Sequence, residues 1–284
     1  MSIYKIGSVL VPVDFSESSL NALDTAVNIA KKHGAGLHIL HVDENNFQVL
    51  DDISSTFSAI SISNTDVMNA IVGAIQDKHE INPVVLVEEG NVADAIIKVS
   101  LLNHTDLIVM GSHGASGYRD GFIGNNTYSV IKHAACPVLS IPQKKKLNGL
   151  RKILFPIRPV TGALMPYEIV SHFANPDTVM EVLGITYRML IGTAGSVLDT
   201  IIGEIKDQLT KDKVNARSLW IEGQSIAEEI VKYTNKSNPD LVVVTSALDV
   251  TSKPRYIGPH AQEIIHCSKA PMLSIKKLNV PSLV

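Results

Sequence analysis

Cysteine is scarce in this 284-residue chain, which contains only Cys136 and Cys267. Two cysteines far apart in the sequence do not make a disulfide framework, and their spacing is not that of a zinc site, so we expect free thiols. The chain also lacks the run of about 18 apolar residues that a membrane-spanning helix requires. Its first residues lead into an apolar strand pattern without the parts of a signal peptide. This favours a soluble, cytoplasmic protein with no membrane partner.

A charge excess is missing as well. The formal net charge is −3 and charged residues make up 19% of the chain, so the composition does not point to nucleic acid as a partner. Hydrophobic residues make up 45%, as in an ordinary globular protein. The chain is long enough for one large domain or for two domains of about 140 residues, each with its own core.

The two halves of the sequence repeat one another. The corresponding segments are residues 9–14 and 153–158, 106–109 and 240–243, and 136–141 and 270–275. From Asp106 and Asp240 onward, the spacing between matching residues stays constant through Gly124 and Gly258. This register predicts a tandem duplication, with a first domain at residues 1–143 and a second at residues 150–284, joined by a polar linker.

Short apolar strands alternate with amphipathic helices in the first half, and the repeat extends this pattern to the second. The pattern predicts an α/β, Rossmann-like fold of two tandem doubly wound five-stranded parallel sheets, each with strand order 3-2-1-4-5. One helix is predicted at residues 18–33, capped by Ser16 and ended by Gly34. Another is predicted at residues 66–78, whereas residues 43–64 are expected to form a long loop with a short helical piece.

Each half ends in a short apolar strand, at residues 138–141 and 272–275. An open sheet leaves such an edge strand without a partner. We therefore expect these two strands to cover each other and to join the halves as an intrachain pseudo-dimer. A homodimer of two chains stays open.

A glycine-rich segment follows the fourth strand of the first half. The apolar run at residues 107–110 stops at Gly111, and glycines recur up to Gly124, where a helical pattern begins with Asn125 or Asn126 as candidate N-cap. Such a segment can bind a phosphate, because glycines let backbone N–H groups converge beside a helix N-terminus. It matches neither the P-loop nor the dinucleotide fingerprint, so an ordinary surface turn is the alternative.

The predicted strand order brings this loop next to the end of the first strand. Strands one and four are neighbours at the switch point of the sheet, and ligands bind outside the carboxyl ends of the strands there. Asp14 lies at the end of strand one, where its carboxylate could accept hydrogen bonds from a ligand. The alternative is that Asp14 closes a turn or caps a helix beside Ser16.

The spacing Gly111-x2-Gly114-x9-Gly124, between a buried strand and a helix, resembles the ATP-binding signature of the universal stress protein family. Residues 11–16 and 38–42 resemble its first two strands. The resemblance implies an adenine nucleotide held between strand one and the glycine loop, with Asp14 facing the adenosine and Val42 meeting the adenine through its backbone. The site residues that it implies are Pro12, Val13, Asp14, Val42, Gly111, Ser112, His113, Gly114, Gly124, Asn125, Asn126 and Thr127.

The sequence departs from the family pattern at Asn125, where the family has Ser or Thr after the last glycine. An amide still offers N–H donors to a phosphate and an oxygen to a metal ion, and Thr127 could supply a hydroxyl. The departure concerns the phosphate end of the ligand, so ATP, ADP and AMP all stay open, with Mg²⁺ accompanying the phosphates.

The second half has lost most of these features. Arg158 stands in the place of Asp14, residues 245–248 lack two of the three glycines, and Pro259 follows Gly258. A side chain in place of a glycine blocks close backbone approach, and a proline removes a donor. We therefore expect a degenerate nucleotide site in this half and one nucleotide per chain.

Patterns of a dedicated enzyme are also missing. The ten histidines form no ligand-like run, and His38 and His41 would lie on opposite faces of a strand. At most, slow ATP hydrolysis by a bound water is expected. The leading interpretation is an adenine-nucleotide-binding regulatory protein of the stress response, with a protein partner that the sequence does not identify. The alternatives are a nucleotide-free interaction module or scaffold, and an adenylate-forming or hydrolytic relative of the same fold.

Overall fold

The computed structural model describes residues 4–43, 64–113, 123–145, 147, 149–158, 166–187, 193–245 and 257–276. Helices and strands alternate along both halves. The elements of the first half are β1 (Ser8–Pro12), α1 (Glu17–His33), β2 (Gly36–Asp43), α2 (Asn64–His79), β3 (Val84–Glu89), α3 (Val92–Leu102), β4 (Leu107–Gly111), α4 (Asn125–His133) and β5 (Val138–Ile141). Those of the second are β6 (Lys152–Ile157), α5 (Tyr167–Ser171), β7 (Val179–Tyr187), α6 (Thr193–Lys211), β8 (Asn215–Gly223), α7 (Ile226–Ser237), β9 (Leu241–Thr245), α8 (Pro259–Cys267) and β10 (Met272–Ile275).

The strands form one ten-stranded sheet in the order β3-β2-β1-β4-β5-β10-β9-β6-β7-β8. Within each half the neighbours are parallel, and each half has the order 3-2-1-4-5, which confirms the predicted fold class. The halves meet at β5 and β10, which pair antiparallel with Leu139 opposite Leu273. The expected joining of the halves through their last strands is therefore confirmed.

A shared hydrogen-bonding arrangement supports the duplication. The Asp106 carboxylate accepts the backbone N–H groups of Gly7 and Ser8, at 2.8 and 2.9 Å. The Asp240 carboxylate accepts those of Arg151 and Lys152, both at 2.9 Å. In both halves an aspartate before the fourth strand thus fixes the start of the first strand. The domain limits at residues 143 and 150 stay a proposal.

The central strands are buried on both faces. In β4, Leu107 and Val109 belong to the hydrophobic layer that contains α1, whereas Ile108 and Met110 belong to the layer that contains α3 and α4. Successive side chains of a strand point to opposite faces of the sheet, so an apolar run such as this one indicates a strand that is buried on both faces. Burial on both faces fixes the position of the strand end that leads into the candidate site.

Helix ends follow the sequence in part. Ser16 caps α1 by accepting the N–H of Ser19, and Gly34 ends it in the left-handed conformation with φ 61°, as predicted. The expected cap of α4 by Asn125 or Asn126 is wrong, because Gly124 is the N-cap residue and the two asparagines are the first helical residues. The described part of α2 extends past both predicted ends. The loop predicted at residues 43–64 falls largely on residues 44–63, outside the described residues.

Candidate functional site

A cavity of about 270 Å³ lies at the carboxyl ends of β1, β2 and β4, where the sequence predicted a ligand site. Strands β1 and β4 are neighbours there, and their following helices cover opposite faces of the sheet, which defines the switch point. The described residues that line the cavity are Pro12, Val13, Asp14, Ser19, Leu40, Val42, Val92, Ile96, Met110, Gly111, His113, Gly124, Asn125, Asn126 and Thr127. Asp14 and Asn125, far apart in the sequence, thus border the same space.

The interior wall of the cavity is apolar. Leu40, Ile96 and Met110 are buried, and Val42 and Val92 are half-buried at its margin. They come from β2, α3 and β4, so three elements contribute to one hydrophobic surface. Such a surface suits a flat aromatic ring, because ligand pockets are mostly apolar with a few polar groups that fix orientation.

Asp14 borders the cavity and also closes a turn. Its Oδ1 accepts the backbone N–H of Ser16 at 3.1 Å and the Ser16 hydroxyl at 2.6 Å. Its own N–H donates to the hydroxyl of Ser19, which also lines the cavity, at 3.3 Å. The turn that the sequence offered as an alternative is therefore present, and Asp14 borders the cavity as well. Its contact with a ligand stays a prediction.

The N-terminus of α4 forms the opposite side. The N–H of Gly124 donates to the carbonyl of Ser112 at 2.8 Å, and Gly124, as the N-cap residue, has no side chain with which to cap the helix. The first hydrogen bond of the helix runs from the N–H of Tyr128 to the Gly124 carbonyl, at 2.9 Å. The N–H groups of Asn125, Asn126 and Thr127 belong to the first turn, which has no acceptor within the helix. A helix start of this kind attracts an anion.

Two of the predicted polar side chains bond to the protein itself. The Thr127 hydroxyl is buried and donates to the Gly111 carbonyl at 2.8 Å. The Ser112 side chain is buried, lies 2.8 Å from Nδ1 of His113 and does not line the cavity. Gly114 falls on residues 114–122, outside the described part of the chain.

Sequence reasoning missed part of the lining. Ser19, Leu40, Val92, Ile96 and Met110 were not predicted as site residues. Leu40 lies two residues before Val42 on β2, so strand alternation places both on the same face and could have identified it. Ile96 and Met110 carry the ordinary apolar pattern of a core, which does not distinguish a cavity wall from packed interior.

The same corner of the second half differs in burial and chemistry. Ile185 and Ile226, the counterparts of Val42 and Val92, are 0% and 1% exposed, so this apolar surface is covered. Arg158 stands at the end of β6 in place of Asp14 and is buried. Pro259 is the first residue of α8, where it removes one N–H from the helix start. Leu248 lies outside the described residues.

Two candidate features are absent from the described part of the chain. No three His, Cys, Asp or Glu side chains come together there as a metal site. Within those same residues, no helix is both long enough and apolar enough to cross a membrane.

Comparison with known proteins identifies the family. The model of the universal stress protein family matches residues 5–142, the half that contains the cavity. A universal stress protein of Methanocaldococcus jannaschii is 30% identical over 148 residues, which cover 51% of this chain and 86% of that protein. One of Bacillus subtilis is 26% identical over 143 residues, 47% of this chain and 97% of that protein. This chain belongs to the universal stress protein family.

Solved structures share the fold over nearly the whole chain. A universal stress protein from Archaeoglobus fulgidus superposes with a TM-score of 0.71 at 17% identity, covering 96% of this chain and 99% of that one. A putative universal stress protein from Pseudomonas aeruginosa gives a TM-score of 0.67 at 13% identity, covering 96% and 94%. The arrangement of two halves therefore occurs in other members of the family.

Proposed function

We propose that the protein binds one adenine nucleotide per chain, in the cavity between the end of β1 and the start of α4, and that it acts as a nucleotide-dependent regulatory protein of the stress response in the cytoplasm. The observation that carries the proposal is the meeting of three complementary surfaces in one cavity. These are a carboxylate at Asp14, an apolar wall around Met110 and the start of α4 at Asn125, where the N-cap residue is a glycine.

Each surface suits one part of the ligand. The apolar wall takes the adenine, and a backbone group near Val42 reads its edge, as the resemblance to the family implies. Asp14 accepts hydrogen bonds from the ribose hydroxyls. The N–H groups at the start of α4 hold a phosphate, and the Asn125 amide offers one further donor.

The charge of the site bears on the number of phosphates. The described residues that line the cavity include no Lys or Arg. A polyphosphate bound there needs compensation from the helix start and from an accompanying Mg²⁺, to which the Asn125 amide oxygen offers a ligand of the type that Mg²⁺ prefers. We propose ATP with Mg²⁺ as the ligand, with ADP and AMP as the alternatives.

A nucleotide-free interaction module is the second candidate. It is favoured by the internal bonds of the site, because Asp14 already accepts from Ser16 and the Thr127 hydroxyl already donates to Gly111. In that case the cavity serves the fold or another small ligand. No dedicated enzymatic activity is proposed, beyond slow hydrolysis of bound ATP by water.

The experiment is to identify what the purified protein carries and binds. Mass spectrometry of the nucleotide released on denaturation is combined with calorimetric titrations of ATP, ADP and AMP, each with and without Mg²⁺. We expect an adenine nucleotide in the released fraction and saturable binding of ATP with Mg²⁺. Absence of any adenine compound, together with flat titrations for all three nucleotides, would favour the interaction module.

A further inference from the structure

The turn between β1 and α1 adopts a rare backbone conformation. Phe15, the residue after Asp14, has φ 62°, in the left-handed region that bulky side chains seldom adopt. Such a conformation persists only when the surrounding structure holds it, and it is found preferentially at functional sites. The contacts that hold this turn therefore determine where Asp14 lies.

His41 on β2 supplies one of these contacts. Its Nδ1 lies 2.8 Å from the carbonyl oxygen of Val13. A carbonyl only accepts, so Nδ1 carries the proton and donates. The N–H of Val13 donates to the carbonyl of Leu40 at 2.8 Å. The neighbouring strand thus holds both backbone groups of the residue that precedes Asp14.

The rest of the His41 ring is also engaged. Its Nε2 is left as an acceptor and lies 3.3 Å from Nδ2 of Asn64, the first residue of α2. Its ring packs against the Phe15 ring, with the ring centroids 5.0 Å apart and the ring planes tilted by 43°. Phe15 is itself packed against the hydrophobic layer around α1. One imidazole therefore touches the residues on both sides of Asp14.

We propose that His41 is a positioning residue of the cavity: its bond to the Val13 carbonyl keeps the turn in the conformation that presents Asp14 to the ligand. His41 does not line the cavity, so its effect on binding runs through the turn. The part that concerns affinity depends on the proposed function, whereas the part that concerns the turn does not.

Three variants separate the hydrogen bond from the ring. His41→Leu removes the donor and keeps an apolar side chain, whereas His41→Asn keeps an N–H donor one bond from Cγ, as Nδ1 is in histidine. His38→Leu is the matched control, because His38 lies on the same strand, outside the cavity lining, with its Nδ1 3.4 Å from the Ser8 hydroxyl. Thermal unfolding shows which variants are folded before the comparison is made.

The first measurement needs no ligand. NMR coupling constants and backbone shifts report the φ angle of Phe15, and the ¹⁵N imidazole spectrum of the wild-type protein reports the tautomer of His41. In the wild-type protein we expect the Nδ1–H tautomer of His41. The φ angle of Phe15 should be positive in the wild-type protein, in His41→Asn and in His38→Leu. In His41→Leu the turn should change. An Nε2–H tautomer of His41 in the wild-type protein would overturn the proposal, and so would an unchanged turn in folded His41→Leu. If His41→Leu does not fold, the tautomer of the wild-type protein decides the proposal by itself.

The second measurement is calorimetric titration with ATP and Mg²⁺. We expect His41→Leu to bind about tenfold more weakly, as for the loss of one well-formed hydrogen bond. His41→Asn should stay within about twofold of wild type, and His38→Leu should equal it. Equal weakening by both His41 variants would overturn the role of the donor. If the wild-type protein binds no ATP, the proposed function fails, and the first measurement alone decides the role of His41.

Discussion

The hydroxyl of Ser18 occupies the space in which a side chain at Gly111 would begin. A Cβ at position 111 would collide with it and would lie 3.0 Å from the carbonyl carbon of Ser18 and 3.1 Å from the carbonyl oxygen of His113. The same hydroxyl donates to that oxygen at 2.8 Å. The start of α1 therefore rests directly on the end of β4, and Gly111 is required for this contact whether or not a ligand is bound.

Gly111→Ala should therefore destabilise the fold itself. The added methyl must displace α1 or the strand end, and overpacking of this kind costs about 1–3 kcal/mol. Chemical denaturation measures the loss. Gly73→Ala is the control, because Gly73 lies in α2 and an added Cβ there would meet no described atom within 4 Å beyond the nearby backbone of its own helix. Alanine at this position should be neutral or stabilising by up to about 1 kcal/mol. Equal midpoints for Gly111→Ala and wild type would contradict the packing argument.

Asp14→Asn tests the carboxylate without removing the turn. An asparagine oxygen can still accept the two bonds from Ser16, while the negative charge is lost. We expect ATP affinity to fall about five- to tenfold, as for one charge-assisted hydrogen bond. Asp24→Asn, on the exposed side of α1, is the matched control and should bind like wild type. Equal affinities for the two variants would show that Asp14 serves the turn alone.

The stoichiometry of binding tests the difference between the halves. We expect calorimetry with saturating ATP and Mg²⁺ to reach one nucleotide per chain, because the second half has Arg158 for Asp14, Pro259 at the start of α8 and its apolar residues covered. A plateau at two per chain, or a nucleotide located beside Arg158, would contradict this.

The contact between α1 and the second half should respond to pH through His33. The centroids of the His33 and His172 rings lie 5.4 Å apart. The pKa of His33 is lowered by burial first, and then by the charges of Lys32 and His172. In the unfolded chain the pKa of His33 is about 6.5, so His33 binds a proton more readily there than in the folded protein. The contribution of His33 to stability is therefore complete above that pH and is lost as the pH falls below it.

Thermal unfolding between pH 8 and pH 5 measures this effect. His33→Gln should lose less stability on acidification than wild type does. His133→Gln is the control, since His133 is exposed at the end of α4, where its ring bonds to Ser129 of its own helix. Identical pH profiles for wild type and His33→Gln would show that the titration of His33 does not contribute.

The sequence predicted the convergence of the site better than its local detail. Asp14 and Gly111 could be placed side by side because strand alternation and right-handed crossovers leave few topologies. The N-cap of α4 was predicted wrongly. The preference of Asn for N-cap positions is a local property, whereas the start of α4 is fixed by the hydrogen bond from the Gly124 N–H to the distant Ser112 carbonyl. A bond across the loop overrode the preference of the residue.

Glycine spacing, similarly, showed where space is needed but not why. Gly111 was interpreted as a place of close approach to phosphate, which stays a prediction, and the structure shows that Ser18 of α1 approaches it closely. Thr127 was considered as a hydroxyl for the phosphate, yet it bonds to Gly111. Each contact joins elements distant in sequence, which residue type alone cannot specify. The part of the signature at Gly114 stays a prediction.

The antiparallel joint of β5 with β10 is made within one chain. Because the two halves are covalently linked, the pairing of β5 with β10 is an intramolecular step with a high effective concentration rather than an association between two molecules. The midpoint of unfolding should therefore not shift on dilution, as it does when such a joint forms between separate chains. If the second half binds no nucleotide, as proposed, it still covers the edge strand β5 on which the first half depends.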